Sequence, residues 1–501
     1  MRKLKLYIMA AAATVLSASC LDKYPNDAIP SDQAITSVEE ANQAVIGIYA
    51  AWKSPYLYSG NLTLLPDIQA DLVYAVNGYS NIYGDIWRWN IQPTNTDIEA
   101  VYGSLYSVIG NCNFLLEAVE KLELTITDES DYEKLQQYKG EAYFSRALAY
   151  SELIKCFCKA YDKNTAEKEL GVVLVSSYSN AGEMKRASLA ASYQFVLDDL
   201  ARAAELLKPE EDNTFQFYDS PYFSYYAVEA LYARVYLYMG EYQKAIDYST
   251  DIIESEKFAL SSASTSISSS DTYYSYMWNY DSSTEIIWKV GFTATSYGGK
   301  LGQIFLNYDY TSYLPDYVPG SKVLALYDAN DNRYTTFFAN AQTGYPHGLV
   351  WPLVTKYKGN QEFYATNQLL YVNMPKVLRL SEQYLIRAEA YGWLGKYGDA
   401  ANDLTTLRQA RYSTYGSTSL SADTWLDEIS NERVRELFME GFRLNDLKRW
   451  HRGFQRVQQT QTLSNGSSLE IKADDPLFVW PIPQHELDAP GSQIEPNESN
   501  K

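Results

Sequence analysis

Apolar residues recur at three- and four-residue steps along most of the chain, the spacing of helices with one buried face. The pattern predicts helices over 38–52, 97–121, 132–158, 188–207, 222–239, 241–255, 380–395 and 397–411. Ser37 stands at the first helix's N-cap, with Glu40 three residues on in capping-box spacing. The longest apolar stripe near the C-terminus runs through Ile429, Val434, Leu437, Phe438, Phe442, Leu447 and Trp450. It predicts a single helix over 429–450. Glu432, Glu436 and Glu440 flank the stripe four residues apart, among Arg433, Arg435, Arg443 and Arg449, as in a charge ladder that docks a scaffold helix.

Two segments repeat. ARVYLYMGEYQKAIDY (233–248) and AEAYGWLGKYGDAAND (388–403) align without gaps, matching Tyr236 to Tyr391, Gly240 to Gly395 and Ala245 to Ala400. Small residues let two helices approach, glycine makes the turn and tyrosine fills the groove, as in a tetratricopeptide unit. Such pairs leave an apolar face for a neighbour to cover. The expected fold is therefore mainly α: about four stacked helix pairs, within 38–255 and 380–411. Residues 256–375 are rich in Ser, Tyr, Gly, Asn and Pro. They predict a half built of loops, small helices and short strands packed on the scaffold. Residues 285–290 read as one strand, with Trp288 in the core, and 359–371 shows little helical character.

Composition narrows the partners. The formal charge is −20, and the first 19 residues carry three basic and no acidic side chains, so the remainder stands at −23. That disfavours nucleic acid or an acidic polymer and suits an uncharged ligand. Arg2, Lys3 and Lys5 precede a short apolar run, Leu6 to Leu16, and then Ser17-Ala18-Ser19-Cys20. This is the pattern of a lipoprotein signal (1–19), cleaved before an acylated Cys20. Residues 20–36, with two prolines, read as a tether. Cys112, Cys156 and Cys158 lack zinc spacing and are expected as buried free thiols.

Catalytic patterns are sparse. His347, His451 and His485 are scattered, without a metalloprotease motif or nucleophile elbow. Asp67 and Asp71 could be posed as a glycosidase pair, but acidic pairs are common in a chain with 62 acids. Asp328 to Arg333 carries oxygen ligands yet lacks the glycine and distal glutamate of a calcium loop. No catalytic residue, metal or cofactor is expected.

Binding has better material. A neutral sugar offers C–H faces to aromatic rings and hydroxyls to a few polar groups. The chain holds 46 Tyr and 10 Trp, and two loops mix rings with polar residues. Residues 74–90 contribute Tyr79, Tyr83 and Trp87, and 273–297 contributes Tyr274, Trp278 and Tyr297; Trp351 is a further candidate.

The order Glu-Arg, Glu-Leu, Glu-Gly-x-Arg, Asp-Leu, Arg-Trp over 432–450 resembles the C-terminal signature of the SusD/RagB family. Tyr106 to Asn113, Glu141 to Tyr150 and the closing Pro481-Ile-Pro-x-x-Glu486 resemble other family elements, although the usual Asn-Pro-Gly ending is Ala489-Pro490-Gly491 here. The resemblance implies a SusD-like domain over 37–501 and a lipid-anchored protein on the outer surface of the outer membrane. It implies capture of a neutral glycan for a SusC-like TonB-dependent transporter, with no reaction of its own. By position, it also implies ligand rings in the two aromatic loops. Peptide capture, as in the RagB branch, and glycoside hydrolysis are the rival readings.

Overall fold

The computed structural model describes residues 34–178, 182–209, 216–346, 348–456 and 469–501. Cys20, the signal segment and His347 lie outside them. Eleven principal helices form the scaffold: α1 Val38–Ala51, α2 Asn61–Gln69, α3 Thr96–Glu123, α4 Glu129–Phe157, α5 Leu189–Leu207, α6 Tyr225–Tyr238, α7 Tyr242–Glu254, α8 Leu380–Trp393, α9 Tyr397–Arg411, α10 Trp425–Glu436 and α11 Arg443–Arg449. From α3 to α9 each helix packs on the next, and α7 meets α8 across the long intervening segment. The protein is mainly α, with two-stranded antiparallel ribbons as its only sheets among the described residues.

Local chemistry sets the helix ends. Asp128, Ser188 and Ser224 accept N-terminal backbone N–H groups of α4, α5 and α6. Ser37 Oγ accepts from Glu40 N at 3.2 Å, but the Glu40 carboxylate turns to Thr36 N and Oγ1 instead of closing the box. The repeat glycines adopt the left-handed turn that their spacing implied, with φ of 72° at Gly240 and 73° at Gly395.

Residues 256–375 form the second half, whose own core centres on Trp278, Phe305, Tyr317, Phe337 and Val354. Strand 286–289 pairs antiparallel with 376–379, carrying Trp288 into the scaffold core, where its ring meets Trp52, Phe144 and Phe223. Residues 359–371, read as non-helical, contain the helix Gln361–Asn367, because the Asn360 side chain accepts from Glu362 N and Phe363 N. Cys112, Cys156 and Cys158 are buried free thiols, and burial pushes Cys112 and Cys156 up to about 12.

The 429–450 stretch is two helices, not one. The chain breaks after Glu436 and resumes at Arg443, with Met439 and Gly441 at φ 57° and 85°. A Cβ at Gly441 would sit 2.8 Å from Leu62 O. Asp67 holds the break: its two carboxylate oxygens accept Gly441 N at 3.0 Å and Arg443 N at 2.9 Å. Asp71 is bound by the Arg443 guanidinium at 2.7 and 2.9 Å. Both carboxylates of the posed catalytic pair are thus engaged in joining α2 to α11.

Candidate functional site

Four of the seven candidate rings turn inward. Thr272 and Ser275 form a capping box for the short helix 273–279, which places Tyr274 and Trp278 one turn apart on its buried face. Tyr274 lies under the Arg411 guanidinium, 4.2 Å from its ring centroid. Trp278 is enclosed by Lys356 and Lys376, whose ammonium groups stand 4.1 and 4.7 Å from its ring. Burial pushes the Lys356 amine down to about 8 even beside Glu440. Trp87 donates to Val73 O at 3.2 Å and stacks under Arg456. Trp351 is half-buried and donates to Pro319 O at 2.8 Å. Trp87, Tyr274 and Trp278 are buried and pack within the loop half, while Trp351 keeps part of its ring exposed. Tyr297 is exposed, and Tyr79 and Tyr83 are half-buried.

The structure places Tyr83 in a groove of about 420 Å³ between the loop before α2, the 80–83 turn and residues 299–316. The turn is strained, with Asn81 at φ 66° and Tyr83 at φ 53°. Three bonds keep it there: Tyr83 OH to Asn61 Oδ1 at 3.0 Å, Tyr317 OH to Ile82 O at 2.6 Å and Ser80 N to Asp316 Oδ1 at 2.8 Å. Burial pushes the Tyr83 phenol up to about 12, so it stays neutral. Tyr79 lies beside this turn, its OH receiving Arg88 Nη1 at 2.8 Å.

The opposite wall supplies polar groups. Gln303, Asn307 and Lys300 line the groove, and among the described residues their side chains have no hydrogen-bond partner. With Leu64, Ile82 and Ile304 between them, they form an apolar surface carrying a few open donors and acceptors. Next to the groove lies a cleft of about 180 Å³ walled by Tyr308, Tyr313, Tyr364 and Tyr371. Tyr310 stands beside it, 84% exposed. None of these five tyrosines was singled out from the sequence; their signal was the run Tyr308-Asp-Tyr-Thr-Ser-Tyr313, with a turn-forming Asp and Thr-Ser between rings.

Another cavity of about 390 Å³ lies between the α4 end, α11 and the tail. Its walls carry five acids, among them Asp162, Glu169 and Asp474, against Lys159 and Lys448, with the rings of Phe478 and His451. Such a charged lining is poorly matched to a neutral ring. The former calcium loop is filled internally: the Asp331 carboxylate is taken by Arg333 at 2.8 and 2.9 Å.

Two family models match separate parts of the chain: one described as starch-binding associating with outer membrane over residues 20–237, and one described as the SusD family over residues 351–497. The chain belongs to the SusD/RagB family. It is similar over its length to a SusD superfamily protein of Bacteroides thetaiotaomicron, with 27% identity, TM-score 0.77, and 92% of this chain and 99% of that one covered. A Bacteroides vulgatus protein assigned as sugar-binding matches at 25% identity and TM-score 0.76, covering 93% and 100%. A SusD superfamily protein of Bacteroides fragilis shares the fold at 21% identity and TM-score 0.70, covering 91% and 98%. No curated protein matches the chain.

Proposed function

We propose that this protein captures a neutral glycan at the cell surface, anchored by acylated Cys20, and hands it to a SusC-like TonB-dependent transporter without altering it. The observation that carries the reading is the groove itself. Open amide and ammonium groups of Gln303, Asn307 and Lys300 face the half-buried Tyr83 ring across an apolar floor, with further bare rings alongside. That is the mixture a polyhydroxylated, uncharged chain needs. The net charge of −20 supports a neutral ligand over an acidic one. Family membership supports the outer-membrane setting and the transporter partner. Among the described residues no helix is long and apolar enough to cross a membrane. The proposed attachment at Cys20 rests on the basic start, short apolar run and Ser17-Ala18-Ser19-Cys20 of the leader.

The test uses purified protein lacking residues 1–19 on a panel of neutral oligosaccharides, reading retention and product release together. Retention without products is expected. Release of shorter sugars would make it a hydrolase. Retention of peptides in place of every glycan would put it with the peptide-binding branch.

A further inference from the structure

The cleft beside the groove is built more rigidly than a surface loop requires. Asp309 Oδ1 accepts Thr311 N at 2.9 Å, Thr311 Oγ1 at 2.6 Å and Ser312 N at 2.8 Å. These bonds pin a turn in which Tyr310 takes φ 69° and leaves its ring bare. Left-handed backbone is costly at a bulky residue and persists only where the surroundings enforce it. The flanking rings are fixed as well. Tyr308 and Tyr313 form a bridge pair, with ring centroids 4.9 Å apart, and Tyr308 N donates to Tyr371 OH at 2.7 Å. Tyr313 N donates to Gln342 O at 3.1 Å. Tyr371 is buried and Tyr308 and Tyr313 are half-buried against the core, so this scaffolding fixes one face of each ring and leaves Tyr310 bare at the tip.

The cleft and the groove share a wall. Ile304 and Asn307 line the groove, while Leu306 and Tyr308 line the cleft. Consecutive Cα atoms are about 3.8 Å apart, so the two openings lie within the reach of one flexible ligand. Their chemistries differ: the groove offers open polar groups, and the cleft offers mainly ring faces, which suit the C–H face of a pyranose.

We infer that the tyrosine cleft is a second subsite continuous with the groove, that Asp309 is its positioning residue, and that the ligand is an extended glycan chain long enough to occupy both. This rests on the glycan-capture reading. The hydrogen bonds from Thr311 and Ser312 also hold the Asp309 carboxyl down at about 2, so the pin stays ionised at any pH the cell surface meets.

Calorimetry with matched short and long probes tests it: maltose against maltoheptaose, cellobiose against cellohexaose, and xylobiose against xylohexaose. For the series that binds, the long member should bind about tenfold or more tightly than its disaccharide, the gain of one well-placed ring contact. Y310A should remove that advantage while leaving disaccharide affinity and melting temperature unchanged, and Y308A should remove it with a small fall in melting temperature, since its ring also packs on the core. D309A should do the same, and D309N, which keeps an acceptor oxygen, should restore most of the long-chain affinity. That rescue separates positioning from a general structural role. Equal affinity of wild type for long and short members overturns the inference alone. So does unchanged long-chain binding by Y308A and Y310A in a protein whose groove variant Q303A binds weakly. Failure of wild type to bind any of the six sugars or the wider glycan panel overturns both this inference and the glycan reading.

Discussion

Arg411 Nε donates to Glu436 Oε2 at 2.9 Å, and neither side chain reaches solvent. Arg379 and Arg333 converge on the same carboxylate at 2.9 and 3.1 Å, and Glu285 closes the array by accepting from Arg379 and Arg411. Burial alone would raise the Glu436 carboxyl, but the Arg411, Arg379 and Arg333 charges hold it well below the usual carboxylate range. The charge ladder of 432–440 therefore faces inward. It fastens α10 to α9, to strand 376–379 and to the loop half.

Removing one member of such an array leaves the others buried and unpaired. Glu436→Gln should destabilise the protein by about 3–5 kcal/mol. Urea denaturation of the two proteins measures this directly. A loss under about 1 kcal/mol would mean the cluster is hydrated and not the tie described above.

Acid pairs of the opposite kind set a pH dependence. Burial raises Glu141 to about 7, although Tyr49 OH and Gln137 Nε2 donate to it at 2.8 and 2.9 Å. An unfolded glutamate titrates near about 4.3. Between those values the folded state holds the extra proton, so stability should fall as pH rises through the window. Glu141→Gln keeps both hydrogen bonds after an amide flip and should flatten the decline by on the order of 2–3 kcal/mol. Asp67 and Glu229, both also raised to about 7 with burial as the main cause, leave a residual slope. Melting curves at pH 5 and pH 8 decide it; identical slopes in the two proteins would refute the assignment.

Groove and core rings should respond differently to truncation. Gln303→Ala and Asn307→Gly, the latter because Asn307 stands at φ 42°, remove side chains with no hydrogen-bond partner among the described residues, so melting should hold while glycan affinity drops about threefold to tenfold each. Trp278→Ala empties a packed site and should destabilise by about 3–5 kcal/mol. Calorimetry and thermal melting on one set of samples distinguish the two. A Trp278→Ala variant that melts normally and loses only sugar binding would return that ring to the ligand site.

On the proposed anchor, Cys20→Ala should release the protein from the membrane, because stable attachment takes two or more acyl chains. Cell fractionation with surface labelling reads the result. Full membrane retention of the variant would place the anchor elsewhere.

Much of the scaffold was legible because it is written locally. Gly240 and Gly395 mark equivalent turns, and the three- and four-residue apolar steps of α3 to α9 are satisfied by adjacent helices. The break after Glu436 was not legible. The apolar stripe continues in helical register straight across it, and the group that fixes it, Asp67, lies 376 residues from Arg443 in sequence. The site divided along the same line. Tyr83 lines the groove from its loop, while Trp278 and Tyr274 are buried because the Thr272–Ser275 box converts an apparent loop into a helix with an inner face. The tyrosine cleft was missed because its walls come from 306–313 and 364–371, two stretches that only tertiary packing unites.

The Asp67 clamp also bears on how the chain is made. Synthesis is vectorial, so α2 emerges early and must wait for the N–H donors of Gly441 and Arg443. Closing so long a loop is slow and gives little until its last contacts form. Until then Asp67 lacks the two N–H donors that hold it in the folded protein, and Asp71 lacks the Arg443 guanidinium. A chain ending before residue 441 would lack this clamp, and Leu64, the α2 side chain in the groove wall, would lose its tie to α11.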